Sequence, residues 1–208
     1  MISALEAFER LRAGNERFVR GDWELPNRLQ EAQRTAFVNW QEPFAVVLGC
    51  SDSRVPVEIV FDQGLGDLFV IRVAGNIVAP SHIGSVEFAA AQFGTRLVVV
   101  LGHTNCGAVK ATLDELQRPT DVQSPGLRSI VDRIRPSVEP LLADTQRYVP
   151  HELMRQAVHA NVRSSVAQLR RGSAILEHLI QEDGLLVVGA EYALETGVVT
   201  FLDDLPAA

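Results

Sequence analysis

Cysteine is nearly absent: among 208 residues only Cys50 and Cys106 carry thiols. Two thiols cannot supply the disulfide framework of a small secreted domain, and free cysteines suit a reducing compartment. Long apolar runs are lacking too, and none approaches the roughly 20 residues needed to span a bilayer. The opening Met1-Ile2-Ser3-Ala4-Leu5-Glu6 lacks the basic-then-apolar order of a signal peptide. Positive charge is in deficit, with 19 Lys and Arg against 26 Asp and Glu, a net charge of −7. That balance speaks against nucleic acid or an anionic membrane as a partner. Internal repeats, low-complexity tracts and linker-like segments are missing as well. With 47% hydrophobic residues the chain can bury a substantial core. These absences predict one cytoplasmic domain over residues 1–208.

Chemistry is concentrated in two loops. Gly49-Cys50-Ser51-Asp52-Ser53-Arg54 follows the apolar run Phe44–Leu48, and Gly102-His103-Thr104-Asn105-Cys106-Gly107 follows Leu97–Leu101. Each is a buried-strand pattern that ends in a polar, glycine-flanked loop. If the two strands lie side by side and parallel, both loops open at one sheet edge, where α/β folds place ligands. Cys50, His103 and Cys106 would then converge with a fourth tetrahedral position free, the ligand count of a catalytic zinc site. Asp52 and Arg54, two residues apart in a loop, can form a carboxylate–guanidinium pair. The same pair would also serve as a plain loop-tying salt bridge. Gly107 would begin a helix and offer its N–H to developing negative charge, or simply permit tight packing.

The rest of the chain reads as alternating elements. Ser3 is placed to cap a helix over Leu5–Arg20 with Gly14 interrupting it, and a second helical stretch covers Arg28–Trp40. Strands are expected at 44–48, 67–73, 97–101, 185–190 and 198–202, with helices at 57–61, 83–92, 106–117, 151–170 and 173–181. Five prolines between 118 and 150 predict a surface excursion with only helical fragments such as Leu127–Ile134. Glu195-Thr196-Gly197 reads as a hairpin turn, so the last strand must be antiparallel. The result is an α/β domain with a mostly parallel sheet.

Cys-Ser-Asp-Ser-Arg-Val at 50–55 and His-Thr-Asn-Cys-Gly at 103–107 closely resemble the two zinc loops of the beta-class carbonic anhydrases. The resemblance extends over nearly the whole chain. It implies parallel strands in the order 2-1-3-4 plus the antiparallel edge strand, with amino-terminal helices that pack across a partner subunit or cover their own sheet. It further implies one zinc on Cys50, His103 and Cys106, and reversible hydration of carbon dioxide by zinc-bound hydroxide that Asp52, paired with Arg54, orients. The same scaffold would allow hydrolysis of carbon disulfide or carbonyl sulfide, or a catalytically weak, zinc-stabilised binding or shell-associated protein.

Gln41 matches a glutamine that in the plant-like branch reaches the substrate from the neighbouring subunit, and Phe69 matches an apolar wall of that pocket. The expected assembly is therefore a homodimer or a dimer of dimers. Val47 stands where the bicarbonate-regulated branch carries tryptophan, although Arg72 matches that branch's arginine. Phe88 replaces a frequent tyrosine. Among the other histidines, His82 is read as a loop residue near the site, either exposed or carrying protons to solvent.

Overall fold

The computed structural model describes residues 2–24, 35, 37–119, 124–143 and 149–202. Five strands form one sheet in the order β2-β1-β3-β4-β5. They are β1 (Ala45–Gly49), β2 (Leu68–Arg72), β3 (Leu97–His103), β4 (Leu186–Tyr192) and β5 (Val199–Phe201). The first four are parallel, and β5 pairs antiparallel with β4. Every residue of β1 and β3 is buried. That explains their unbroken apolar sequence: a parallel strand covered on both faces has no solvent side on which to alternate.

The helices are α1 (Ala4–Arg20), α2 (Val57–Val60), α3 (Pro80–Gln92), α4 (Gly107–Gln117), α5 (Pro125–Leu142), α6 (Pro150–Arg171) and α7 (Ala174–Glu182). On one sheet face, Ala4, Ala7, Phe8 and Leu11 of α1 pack with Ala45, Val47, Val99 and Leu101. On the other, α3, α6 and α7 cover Val46, Leu48, Val98 and Val100. Thus the first helix covers its own sheet. The expected second helix lies largely outside the described residues; of its last residues, 37–39 form turn and bend and Trp40 is irregular.

Gly14 does not interrupt α1. A Cβ there would stand 1.9 Å from the Phe61 carbonyl oxygen, so the glycine lets the helix close onto the segment after α2. Ser3 caps the helix as expected, its Oγ accepting from the Glu6 N–H at 3.2 Å.

The structure corrects two expectations. The proline-rich region holds an 18-residue helix, α5, with Pro136 and Pro140 inside it. Each proline removes a backbone donor, but Val131, Ile134 and Val138 are buried, and their packing offsets the loss. His82 belongs to the first turn of α3, not to a loop, and its Nδ1 accepts from the Ala79 N–H at 3.0 Å. Burial and the nearby Arg133 lower its pKa from the ordinary 6.5. No helix among the described residues is long and apolar enough to cross a membrane.

Candidate metal centre

Strand register brings the two loops together. Gly49 pairs with Arg72 on one side and Leu101 on the other, so Cys50 emerges beside the end of β3. His103 is the last residue of β3, and Cys106 is the N-cap of α4. The ligand atoms of Cys50, His103 and Cys106 all lie within 4.8 Å of one another, and all three residues are buried. The two sulfurs are 4.0 Å apart.

The imidazole has one orientation and one free lone pair. Its Nδ1 lies 2.9 Å from the Thr104 carbonyl oxygen, which can only accept, so the proton resides on Nδ1. Nε2 is then a bare acceptor, fully buried and without a hydrogen-bond partner among the described residues. A buried acceptor left open beside two thiols is costly unless something binds it.

The thiols themselves favour a cation. Sharing a hydrogen bond with Cys106 lowers the Cys50 thiol from its ordinary value despite burial, with help from the Gly75 N–H 3.3 Å away. The same sharing, with burial, pushes Cys106 up. Two buried sulfurs 4.0 Å apart that share one hydrogen bond offer the space between them to a soft or borderline dication. Two sulfurs and one imidazole nitrogen suit zinc, with a fourth position left for a reactant.

Asp52 stands at the mouth. Its Oδ1 and Oδ2 accept from Arg54 Nε and Nη2 at 2.9 and 2.8 Å, a two-point fork, and Oδ1 also takes the Arg54 N–H at 3.0 Å. This pairing holds the carboxyl well below the usual carboxylate range, against the opposing effect of burial. Asp52 Oδ2 is 3.8 Å from His103 Nε2, so the carboxylate faces the open nitrogen. Arg72 ties the first loop down by donating to the carbonyls of Cys50 at 3.1 Å and Asp52 at 2.7 Å. Val47 is fully buried in the core.

Gly107 is the first residue of α4 and exposed. A Cβ there would meet nothing within 4 Å, so tight packing within the chain does not explain the glycine. Gln41 and Phe69 are not brought to this centre. Phe69 pairs with Val46, four residues before Cys50 and hence roughly 13 Å back along the sheet. Gln41 precedes β1 altogether, in a cavity of about 670 Å³ with Val38, Trp40, Leu65 and Phe93. Phe69, Phe88 and Phe93 cluster on the same side, with ring centroids 5.6–6.2 Å apart.

Two contributors escaped the sequence reading. Gly75, at φ +71°, supplies the N–H that reaches Cys50. Its Cβ would come within 2.8 Å of Ile134 and 3.0 Å of Ala108. The signal available was Gly75-Asn76 just after a strand, the position of a close backbone approach. Glu195, part of the expected hairpin turn, accepts hydrogen bonds from Thr104 and Asn105 of the second loop.

Residues 45–199 match the family model described as carbonic anhydrase. The chain is 40% identical over 201 residues to carbonic anhydrase 2 of Mycobacterium tuberculosis, covering 96% of this chain and 93% of that protein. It is 40% identical over 193 residues to the carbonic anhydrase of Mycolicibacterium smegmatis, covering 93% and 90%. The crystal structure of the beta-carbonic anhydrase CafA of Aspergillus fumigatus superposes with a TM-score of 0.74 at 28% identity, over 84% of this chain and 83% of that one.

Proposed function

The chain belongs to the beta-class carbonic anhydrases, and from that membership we propose how its own residues carry the reaction. It is a carbonate dehydratase, a lyase that reversibly hydrates carbon dioxide to bicarbonate and a proton. Cys50, His103 and Cys106 hold one zinc, and the observation that carries this reading is the open, buried Nε2 of His103 beside two sulfurs. When bound, zinc would supply the acidity that makes water a nucleophile, on the alkaline side of neutral because two thiolates and a neutral imidazole offset its charge.

The chain's residues do the rest. Asp52 stays ionised because Arg54 grips both of its oxygens, so it accepts a hydrogen bond from the attacking water and aims the lone pair at carbon. By gripping both oxygens, Arg54 would hold the carboxylate away from a bound metal. Gly107, bare of a side chain at the start of an 11-residue helix, leaves room for the substrate and offers its N–H to the oxygen that gains charge. Arg72 is engaged on backbone carbonyls and Val47 is in the core, so this chain fits the plant-like branch better than the bicarbonate-regulated one.

Gln41 and Phe69 reach a site only if a second copy brings them. Phe88, Trp40 and Val38 are exposed around them, an apolar patch of the kind that marks an interface. A homodimer, or a dimer of two such dimers, covers that patch and presents Gln41 and Phe69 to the partner's metal centre. Two free thiols suit the reducing cytoplasm. Nothing among the described residues favours carbon disulfide or carbonyl sulfide over carbon dioxide.

Stopped-flow hydration of carbon dioxide on protein of measured zinc content tests the assignment. Cys106→Ala is expected to lose metal and activity together. Asp52→Asn and Arg54→Ala are expected to keep zinc but lose at least about tenfold in rate. Full zinc and full activity in Cys106→Ala would refute the ligand set, and wild-type turnover in Asp52→Asn would reduce the pair to a structural bridge.

A further inference from the structure

Between the ligands His103 and Cys106 lie two residues, and both are held by one carboxylate. Thr104 Oγ1 donates to Glu195 Oε2 at 3.0 Å, and Asn105 Nδ2 donates to Glu195 Oε1 at 3.1 Å. The Thr104 hydroxyl also accepts from the Leu194 N–H at 3.0 Å, and the Thr104 N–H donates to the Tyr192 carbonyl at 3.0 Å. Its one hydroxyl proton is thereby committed to Glu195. The second ligand loop is thus fastened along its length to the turn between β4 and β5.

Asn105 carries the connection further. It adopts φ +56°, in the left-handed region that asparagine tolerates but does not prefer. In that conformation its carbonyl accepts from Arg54 Nη2 at 3.4 Å, on the same nitrogen that grips Asp52 Oδ2. A single path of hydrogen bonds therefore runs from Glu195 through Asn105 and Arg54 to Asp52. The guanidinium bridges the two metal loops, one through a carboxylate and one through a backbone carbonyl.

We propose that Glu195 is a positioning residue for the hydration reaction: by clamping Thr104 and Asn105 it fixes the spacing of His103 and Cys106 and sets the Arg54–Asp52 pair. It touches neither substrate nor metal and acts only through these neighbours. Both bonds to Glu195 are exposed, so water could replace either of them singly. What water cannot replace is a rigid group that holds successive residues at once and keeps Asn105 in its left-handed turn. The proposal rests on His103 and Cys106 being ligands and deepens that reading.

The test compares wild type, Glu195→Ala and Glu195→Gln as zinc-loaded proteins. Three quantities are read: the rate of zinc transfer to a chromophoric chelator, kcat and KM for carbon dioxide, and the thermal midpoint. Glu195→Ala is expected to bind one zinc, release it about tenfold faster and lose about tenfold in kcat, with KM little changed. Glu195→Gln, which keeps one carbonyl acceptor for Asn105, is expected to recover most of both losses. Should Glu195→Ala fail to fold, Thr104→Val leaves the turn sequence intact and carries the same expectation. Wild-type kcat or a wild-type transfer rate in the variant overturns the proposal, whatever happens to the thermal midpoint. A zinc-loaded wild type that does not hydrate carbon dioxide would instead refute the assigned reaction, and the transfer rates would still judge the clamp.

Discussion

A single residue can be essential to this centre without offering it a side chain. Gly75 gives Cys50 a backbone N–H at 3.3 Å, and it can do so only at φ +71° with no Cβ between Ile134 and Ala108. Gly75→Ala is therefore expected to lower stability by about 1–3 kcal/mol, read as a lower denaturant midpoint at unchanged slope. A midpoint within error of wild type would mean that the surrounding helices give way freely. The contrast with Cys50, His103 and Cys106 explains what the sequence made legible. Ligand chemistry is written in side chains, and Cys-x-Asp-x-Arg with His-x-x-Cys-Gly names its own residues. Gly75 and Glu195 act through a backbone N–H and through a turn more than 85 residues along the chain from Thr104, and neither leaves a local pattern.

Elements were legible where one rule governed them. Buried parallel strands gave unbroken apolar runs, and Ser3 marked the start of α1. At α5 the sequence shows proline's local cost but not the burial of Val131, Ile134 and Val138 that offsets it. The start of α3 is equally silent in sequence, because the cap is an imidazole and not a hydroxyl or carboxylate. That cap has a pH consequence. His82 has its folded pKa lowered below 6.5, chiefly by burial, so the folded chain binds fewer protons there than the unfolded chain. Its stabilisation is complete above about 6.5 and is lost as pH falls through the lower folded value, because a protonated Nδ1 cannot accept from Ala79. His82→Ala is expected to be less stable than wild type by about 0.5–2 kcal/mol at pH 8, with the gap closing toward pH 5. Thermal midpoints measured at both pH values check it; a gap that widens on acidification would contradict the cap.

For the molecule as a whole, Cys50 follows β1 and Gln41 precedes it, so Gln41 can serve a metal centre only if, as proposed, a second copy carries it there. In the proposed two-fold dimer each centre would join its own Asp52 to the partner subunit's Gln41. Gln41→Ala and Asp52→Asn chains should each be impaired alone. After random exchange of the two, about a quarter of all centres hold both residues and activity should rise accordingly. Mixtures no more active than the average of their parents would show that Gln41 serves no neighbour. Sedimentation of the wild type at assay concentration supplies the companion measurement, with a fully active monomer as the contrary result.

The scarcity of cysteine has a practical consequence. Because both thiols of the chain are within 4.0 Å of each other in one centre, no other sulfhydryl can obscure what happens there. Alkylation followed by intact-mass measurement then becomes a census of occupancy. Zinc-loaded chains should remain unlabelled under native conditions, chains stripped by a chelator should gain adducts up to two, and mixed samples should resolve into separate peaks whose ratio counts loaded molecules. Rapid double labelling of fully loaded protein would show that the sulfurs are not committed to metal.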